Sequence, residues 1–168
     1  MSELTTMIEA NEGFASTFRD GELKIPPARG VAVLTCIDGR IDPARILGLE
    51  IGDAHVIRNA GGTASDDAIR SLVVSSWILG TREFAVIHHT DCGMSYFTND
   101  ELAQKIKEAS GEDFSSTDFL TFSDLDQSVR DDVARIRGLG GKLPAGVKVS
   151  GHVYDVTDGS LREVVSPS

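Results

Sequence analysis

A chain of 168 residues with a hydrophobic content of 40% suits one domain whose core needs no disulfide framework. Its formal net charge of −10 opposes binding to nucleic acids or to an anionic membrane surface, because both require a basic footprint. Residues 1–10 lack a basic segment followed by an apolar one, and no apolar stretch is long enough to cross a bilayer. We therefore expect a cytoplasmic protein that binds neither nucleic acid nor membrane.

Short apolar runs alternate with helical patterns along the chain. Residues 2–19 have a loosely helical spacing of apolar side chains, and a polar, proline-containing link follows as far as Gly30. The apolar runs predict strands at 31–36, 54–59, 83–89 and 147–156. Capping residues and glycines mark the ends of predicted helices at 65–79, 99–109 and 125–137. Residues 112–124 are predicted to form a loop.

Strands that alternate with helices are typical of an α/β fold with a mostly parallel central sheet. The turn at 157–160 leads into a last strand at 161–165, which we expect to pair antiparallel at the edge of the sheet. We predict a single three-layer domain over residues 1–168, with a helical arm at 1–30 and an α/β core at 31–168. In such sheets, ligands bind at the carboxyl ends of the strands.

Two cysteines and a histidine lie where predicted strands end. Cys36 closes the first strand, His89 closes the third, and Cys92 follows three residues later. If these strands are neighbours the three side chains converge, and two thiolates with one imidazole suit a zinc ion. Three protein ligands leave a fourth position for water, as in catalytic zinc sites. Spacing leaves His88 open as the alternative ligand, although alternation along the strand favours a packed or hydrogen-bonded His88 on the other side.

If the chain stays extended beyond the first strand, the side chains of Asp38 and Arg40 lie on the same side of it as that of Cys36. An aspartate beside an arginine can form a bidentate ion pair, which keeps the carboxylate ionised. Such a carboxylate can orient a zinc-bound hydroxide toward a substrate, or can leave Arg40, bind the zinc itself and close the site. The alternative interpretation is a surface ion pair without a role, since isolated exposed pairs contribute little.

Glycines and one further histidine are candidates for contact with the substrate. Gly61 and Gly62 follow the second strand, where backbone without a Cβ either approaches a substrate closely or forms a plain turn. Backbone N–H groups near Gly61 or Gly93 are candidates to hold a developing oxyanion. His55 begins the second strand and is a candidate for substrate contact and proton transfer, although a lone histidine there is more often structural.

The two motifs that carry these residues resemble those of the β-class carbonic anhydrases. That family has a Cys-x-Asp-x-Arg segment followed farther on by His-x-x-Cys, and this chain has CIDGR at 36–40 and HTDC at 89–92. The resemblance is dense over residues 31–94 and looser toward the C-terminus. Gly39 departs from the family pattern, because serine or alanine is usual there, and His55 replaces a glutamine or another polar residue.

The resemblance implies a small-molecule enzyme that hydrates CO2 reversibly to bicarbonate by means of a zinc-bound hydroxide. It implies one zinc ion per subunit and a catalytic dyad, with the zinc on Cys36, His89 and Cys92 and the dyad formed by Asp38 and Arg40. It also implies a homodimer, built partly by packing of the N-terminal helix on a partner subunit, or a homotetramer.

Three alternatives to CO2 hydration stay open from the sequence. The same site in similar enzymes hydrolyses carbonyl sulfide or carbon disulfide, which are also linear and electrophilic at carbon, and the ligand motifs do not distinguish these substrates. A relative that kept zinc and lost catalysis is a second alternative, which the intact dyad disfavours. A thiol redox protein is the third, and it is disfavoured because the chain contains no Cys-x-x-Cys motif.

Overall fold

The computed structural model describes residues 2–168, so residue 1 of the predicted arm lies outside the described residues. Its central sheet has the order β2-β1-β3-β4-β5, in which β1 to β4 are parallel and β5 is antiparallel to β4. The strands are β1 (Val31–Cys36), β2 (Ala54–Asn59), β3 (Glu83–His89), β4 (Lys148–Tyr154) and β5 (Leu161–Val165). The predicted α/β fold, with a mostly parallel sheet and an antiparallel edge strand, is confirmed.

The predicted helices form close to their expected bounds. The α-helices are α1 (Glu3–Thr17), α2 (Pro43–Leu47), α3 (Asp66–Trp77), α4 (Asn99–Ser110) and α5 (Leu125–Arg137). Helix α2 has no counterpart in the sequence prediction, although its ends carry ordinary signals. The Asp42 side chain accepts a hydrogen bond from the Ala44 N–H, Pro43 occupies the first turn, and Gly48 ends the helix with a left-handed conformation.

Helices α3 and α5 pack on one face of the sheet and enclose the main core. Its buried side chains come from three parallel strands and both helices, among them Leu34, Leu72, Val86, Val133 and Val153. Gly151 lets α5 approach β4, because a Cβ there would lie 2.5 Å from the Val129 side chain. The connection that contains α2 leads from β1 to β2, whereas the later connections between parallel strands lead across the sheet in the opposite direction. Because such connections are right-handed, α2 lies on the face of the sheet opposite to α3 and α5.

Every residue of α1 is exposed in the single chain. Its apolar side chains are no exception, and Leu4, Met7 and Ile8 each remain more than 60% exposed. A helix of this kind contributes little to the fold of its own chain, because none of its residues is buried there. Among residues 2–168, no helix combines the length and apolarity needed to cross a membrane.

Candidate metal centre

The parallel sheet places the ends of three adjacent strands at one edge. Cys36, the last residue of β1, pairs with Asn59 at the end of β2, and β3 lies on the other side of β1 and ends at His89. Cys92 returns to the same edge after a short turn. The potential ligand atoms of Cys36, His89 and Cys92 all lie within 4.8 Å of one another, and all three residues are buried. The structure thus brings together the three predicted ligands.

The His89 imidazole is oriented as a metal ligand. Its Nδ1 lies 2.8 Å from the Thr90 carbonyl oxygen, so this nitrogen carries the proton that it donates there. The other ring nitrogen, Nε2, therefore presents its lone pair to the two sulfurs. It is buried and has no hydrogen-bond partner within residues 2–168, a costly arrangement that a bound cation would relieve. With two soft sulfur donors beside it, the site fits zinc.

The two cysteine sulfurs share one proton between them in the metal-free protein. The hydrogen bond from the Cys92 thiol lowers the pKa of Cys36 despite burial, and the backbone at Asp38 and Gly61 adds to this effect. The same contact, together with burial, raises the pKa of Cys92. Of the two cysteines, Cys36 therefore ionises more readily, while a cation would have to displace the proton of Cys92.

His88 points to the opposite side of β3, as strand alternation predicts. It is fully buried, with Nδ1 2.8 Å from the Ser128 hydroxyl and Nε2 3.0 Å from an Asp132 carboxylate oxygen. Both partners belong to α5. The two consecutive histidines thus have separate surroundings, and His88 joins the sheet to α5, while His89 faces the cysteines.

Asp38 and Arg40 form the expected bidentate ion pair beside the cysteines. Arg40 donates from Nε to Asp38 Oδ1 at 3.0 Å and from Nη2 to Asp38 Oδ2 at 2.7 Å. These side-chain hydrogen bonds, joined by one from the Arg40 backbone, hold the pKa of Asp38 well below its usual range. The chain does not stay extended here, because the backbone turns after Asp38 and the pair closes across that turn. Asp38 Oδ2 lies 3.9 Å from His89 Nε2.

Further side chains hold this pair and were missed by the sequence analysis. Arg58 donates to the carbonyl oxygens of Cys36 at 2.9 Å and Asp38 at 2.8 Å, which fixes the backbone of the turn. Asp91 accepts from Arg40 Nη1 at 2.6 Å. The position of Asp91 inside the His-x-x-Cys motif was a usable signal, since it had to lie near the candidate ligands.

The loop at 112–124 is partly an element of the site. Phe122 packs against the cluster that contains Cys36 and Cys92, and its N–H donates to the Met94 carbonyl at 3.2 Å. Its ring also lies 5.6 Å from that of His88, measured between centroids. The end of the loop therefore shields the metal centre from solvent, a contact that no local sequence pattern indicates.

The candidate residues for substrate contact have different positions. Gly93 follows Cys92 directly and is exposed, and no described atom lies within 4 Å of the place of a Cβ on it. Gly61 is buried at the end of β2, and its backbone N–H is directed at the Cys36 sulfur. His55 lies at the opposite end of β2, with Nδ1 2.7 Å from the Ser75 hydroxyl. The structure does not bring His55 to the metal centre of its own chain.

Gly62 allows the chain to pass directly beside Cys36. Its φ is +71°, and a Cβ there would lie 2.8 Å from the backbone N of Cys36 and 2.8 Å from the carbonyl carbon of Thr35. We expect Gly62→Ala to lower the free energy of unfolding by about 2–4 kcal/mol, because backbone strain and a clash add together. Urea unfolding followed by circular dichroism measures this loss.

Gly80→Ala is the matched control for Gly62→Ala. Gly80 also has a positive φ, +78°, but within residues 2–168 nothing lies within 4 Å of the position of a Cβ. The control therefore carries only the cost of the left-handed conformation, about 1 kcal/mol. Equal losses in the two variants would show that close packing against Cys36 is unimportant.

Comparison with known proteins gives a consistent result. The family model described as "Carbonic anhydrase" matches residues 31–161. Beta-carbonic anhydrase 1 of Mycobacterium tuberculosis is 40% identical over 156 residues, which cover 92% of this chain and 93% of that protein. A carbon disulfide hydrolase of Saccharolobus solfataricus is 38% identical over 162 residues, covering 83% and 79% of the two chains. The crystal structure of a carbonic anhydrase from Streptococcus mutans superposes with a TM-score of 0.93 at 43% identity, with 98% of each chain covered.

Proposed function

This chain belongs to the β-carbonic anhydrase family, and from that membership we propose that it is a zinc enzyme that hydrates CO2 reversibly to bicarbonate. We assign one zinc ion per chain to Cys36, His89 and Cys92. The observation that carries the proposal is the buried Nε2 of His89, which has no hydrogen-bond partner in the described part of the chain and faces two cysteine sulfurs beside an ionised carboxylate. A zinc ion on these three atoms would supply a Lewis acid that lowers the pKa of water at its open position.

We propose that Asp38 orients the attacking water. Arg40 keeps the Asp38 carboxylate ionised, so that its oxygens can only accept hydrogen bonds. Asp38 Oδ2 lies near enough to His89 to accept the O–H of a water held among the ligands, at 3.9 Å from His89 Nε2. Fixing one O–H in this way directs a lone pair of the same oxygen toward the carbon of CO2.

Of the two glycines considered for this role, Gly93 and Gly61, we further propose that the backbone near Gly93 holds the developing oxyanion. Gly93 is better suited to this role because it is exposed and has open space beside it. The N–H of Gly61 faces the Cys36 sulfur, so it orients that ligand. A role for His55 in substrate contact or proton transfer stays a prediction, and its bond to Ser75 places it apart from these groups.

Carbon disulfide or carbonyl sulfide hydrolysis is a second candidate function. The similarity to a relative named as a carbon disulfide hydrolase, at 38% identity, favours it. Both reactions need water to attack a linear electrophile, so the same ligands and the same carboxylate would serve. The deciding experiment is stopped-flow CO2 hydration by zinc-loaded protein, run beside an assay for H2S released from carbonyl sulfide and from carbon disulfide.

The expected result is that CO2 hydration exceeds H2S release at equal substrate concentration. A faster release of H2S would establish the hydrolase function in its place. Failure in both assays, with zinc bound, would identify a zinc-binding relative without catalysis and overturn the proposal.

We propose a homodimer, alone or paired into a homotetramer, in which α1 packs on the partner subunit. The support is the exposure of every α1 residue in the single chain, including Ile8 at 63% and Phe14 at 52%. Such apolar surface is normally covered by another chain.

The variant Ile8→Glu/Phe14→Glu is therefore expected to weaken association, because each glutamate would have to be buried on the partner. Sedimentation equilibrium should give a mass at or above twice the 18.0 kDa of one chain for the parent protein, and a lower mass for the variant. Thr6→Glu/Ser16→Glu adds the same charge to the opposite side of the same exposed helix as a control. An unchanged mass for the apolar-site variant would contradict the assignment.

A further inference from the structure

The Arg40 guanidinium is held from two sides. Asp38 occupies Nε and Nη2 on one side, at 3.0 and 2.7 Å. On the other side, the Asp91 carboxylate accepts from Nη1 at 2.6 Å and the Asp91 backbone carbonyl accepts from Nη2 at 2.9 Å. Asp91 therefore contacts Arg40 with both its side chain and its main chain.

The backbone conformation of Asp91 makes this double contact possible. Its φ is +58°, a left-handed conformation that is unfavourable for most L-residues and that aspartate, asparagine and glycine tolerate best. In this conformation the carbonyl and the carboxylate both reach Arg40. The second carboxylate oxygen is also held, because the Tyr96 hydroxyl donates to Asp91 Oδ1. Asp91 is thus held by Tyr96 independently of its contact with Arg40.

The pairing of Asp38 with Arg40 needs such support. Gly39 separates the two residues, is exposed and has open space at the position of a Cβ, so its own backbone resists rotation weakly. The hydrogen bonds of Arg58 go to the Cys36 and Asp38 carbonyls and do not hold the Arg40 side chain. That side chain is 45% exposed, and an isolated ion pair at such a site contributes little to holding it in place.

We propose that Asp91, fixed by Tyr96, is a positioning residue that holds Arg40 in place and so keeps Asp38 paired with Arg40. Without Asp91, the Asp38 carboxylate would alternate between pairing with Arg40 and turning toward the metal ligands, since its Oδ2 lies only 3.9 Å from His89 Nε2. A carboxylate that turned to the metal would occupy the position needed for water. The geometric part of this inference stands by itself, and its consequence for the metal rests on the proposed function.

Because the backbone of Asp91 is left-handed, its side chain can be replaced without changing the backbone conformation. Asp91→Gly keeps that conformation and removes the side chain, while Asp91→Asn keeps both the conformation and a carbonyl-type acceptor for Arg40. Tyr96→Phe removes only the hydroxyl that fixes Asp91. Asp66→Asn is the control, because Asp66 forms a similar 2.6 Å pair with Arg135 on a helix outside the site.

The first test uses metal-free protein and nuclear magnetic resonance of arginine Nε–H groups, with the Arg40 signal assigned by its loss in Arg40→Lys. We expect its exchange with water to accelerate at least about tenfold in Asp91→Gly, because the guanidinium then loses its charged partner at Nη1 and keeps only Asp38 and the main-chain carbonyl at position 91. Smaller accelerations are expected in Asp91→Asn and Tyr96→Phe, and none in Asp66→Asn. Unchanged exchange in Asp91→Gly would overturn the inference whatever the protein catalyses.

The second test measures azide binding to cobalt-substituted protein by visible absorption. We expect Asp91→Gly to bind azide about tenfold more weakly than the parent, because Asp38 competes for the open position. Adding Asp38→Asn to this variant should restore the affinity, which a merely structural role of Asp91 would not do. Equal affinity in parent and Asp91→Gly, or no restoration in the double variant, would overturn the link to the metal. Failure of the parent to bind cobalt would instead count against the proposed function.

Discussion

Replacing Cys92 with serine is expected to remove bound metal and CO2 hydration together. Cys92 is 2% exposed and supplies one of two sulfurs in a three-atom set, so its loss leaves only Cys36 and His89. A serine hydroxyl does not ionise near neutral pH and cannot replace a thiolate. We expect zinc to fall below about a tenth of an ion per chain and turnover to fall by about a thousandfold. Elemental analysis and stopped-flow hydration, made on the same preparation, measure both.

Cys92→Asp separates loss of the ligand from damage to the fold. A carboxylate is an accepted zinc ligand, so this variant should retain more metal than the serine variant. Far-ultraviolet circular dichroism of both variants checks that the sheet persists. A metal-free Cys92→Ser protein with parental activity would refute the metal assignment outright.

Asp38→Asn is expected to keep its zinc and to lose most of its turnover. Asparagine has nearly the same shape, but its amide presents donors where the carboxylate presents only acceptors, so a water would no longer be oriented. We expect kcat to fall about 100- to 1000-fold with an unchanged zinc content. Since Arg40 keeps the pKa of Asp38 far below neutrality, the loss should extend across neutral and alkaline pH without a shift of the pH–rate profile.

The control for this substitution is Asp67→Asn, which removes a carboxylate from the exposed Arg70–Asp67 pair on α3. Parental rates are expected in the control. If Asp38→Asn were equally active, the ion pair beside the metal centre would have no part in the reaction.

The elements that the sequence predicts well are those whose pattern depends on local physics. The buried strand at 31–36 is nearly all apolar because both of its faces are covered, and α3 begins as capping rules require, with Ser65 as its N-cap and Asp66 and Asp67 in its first turn. Helix α2 escaped prediction because five residues are too few to show a period, although Asp42 and Pro43 marked its start.

The metal ligands were predictable because parallel strands bring their carboxyl ends together, which makes residues distant in sequence neighbours in space. The support around Arg40 was not predictable in the same way. It depends on the left-handed turn at Asp91 and on the direction of the Tyr96 side chain, and neither follows from spacing. The contact of Phe122 with the site likewise depends on the path of a loop that has no periodic pattern.

The side-by-side histidines at the end of β3 make this strand intolerant of insertion and deletion. His88 is fully buried against α5 and His89 faces the cysteines, so a shift by one residue would exchange the two rings between the faces of the sheet. The shifted strand could still pair with β1 and β4, because backbone hydrogen bonds do not depend on the identity of the side chains. It would nevertheless put a metal-binding ring into the core and deprive the metal of a ligand. Length changes within β3 should therefore abolish metal binding even where the sheet itself survives.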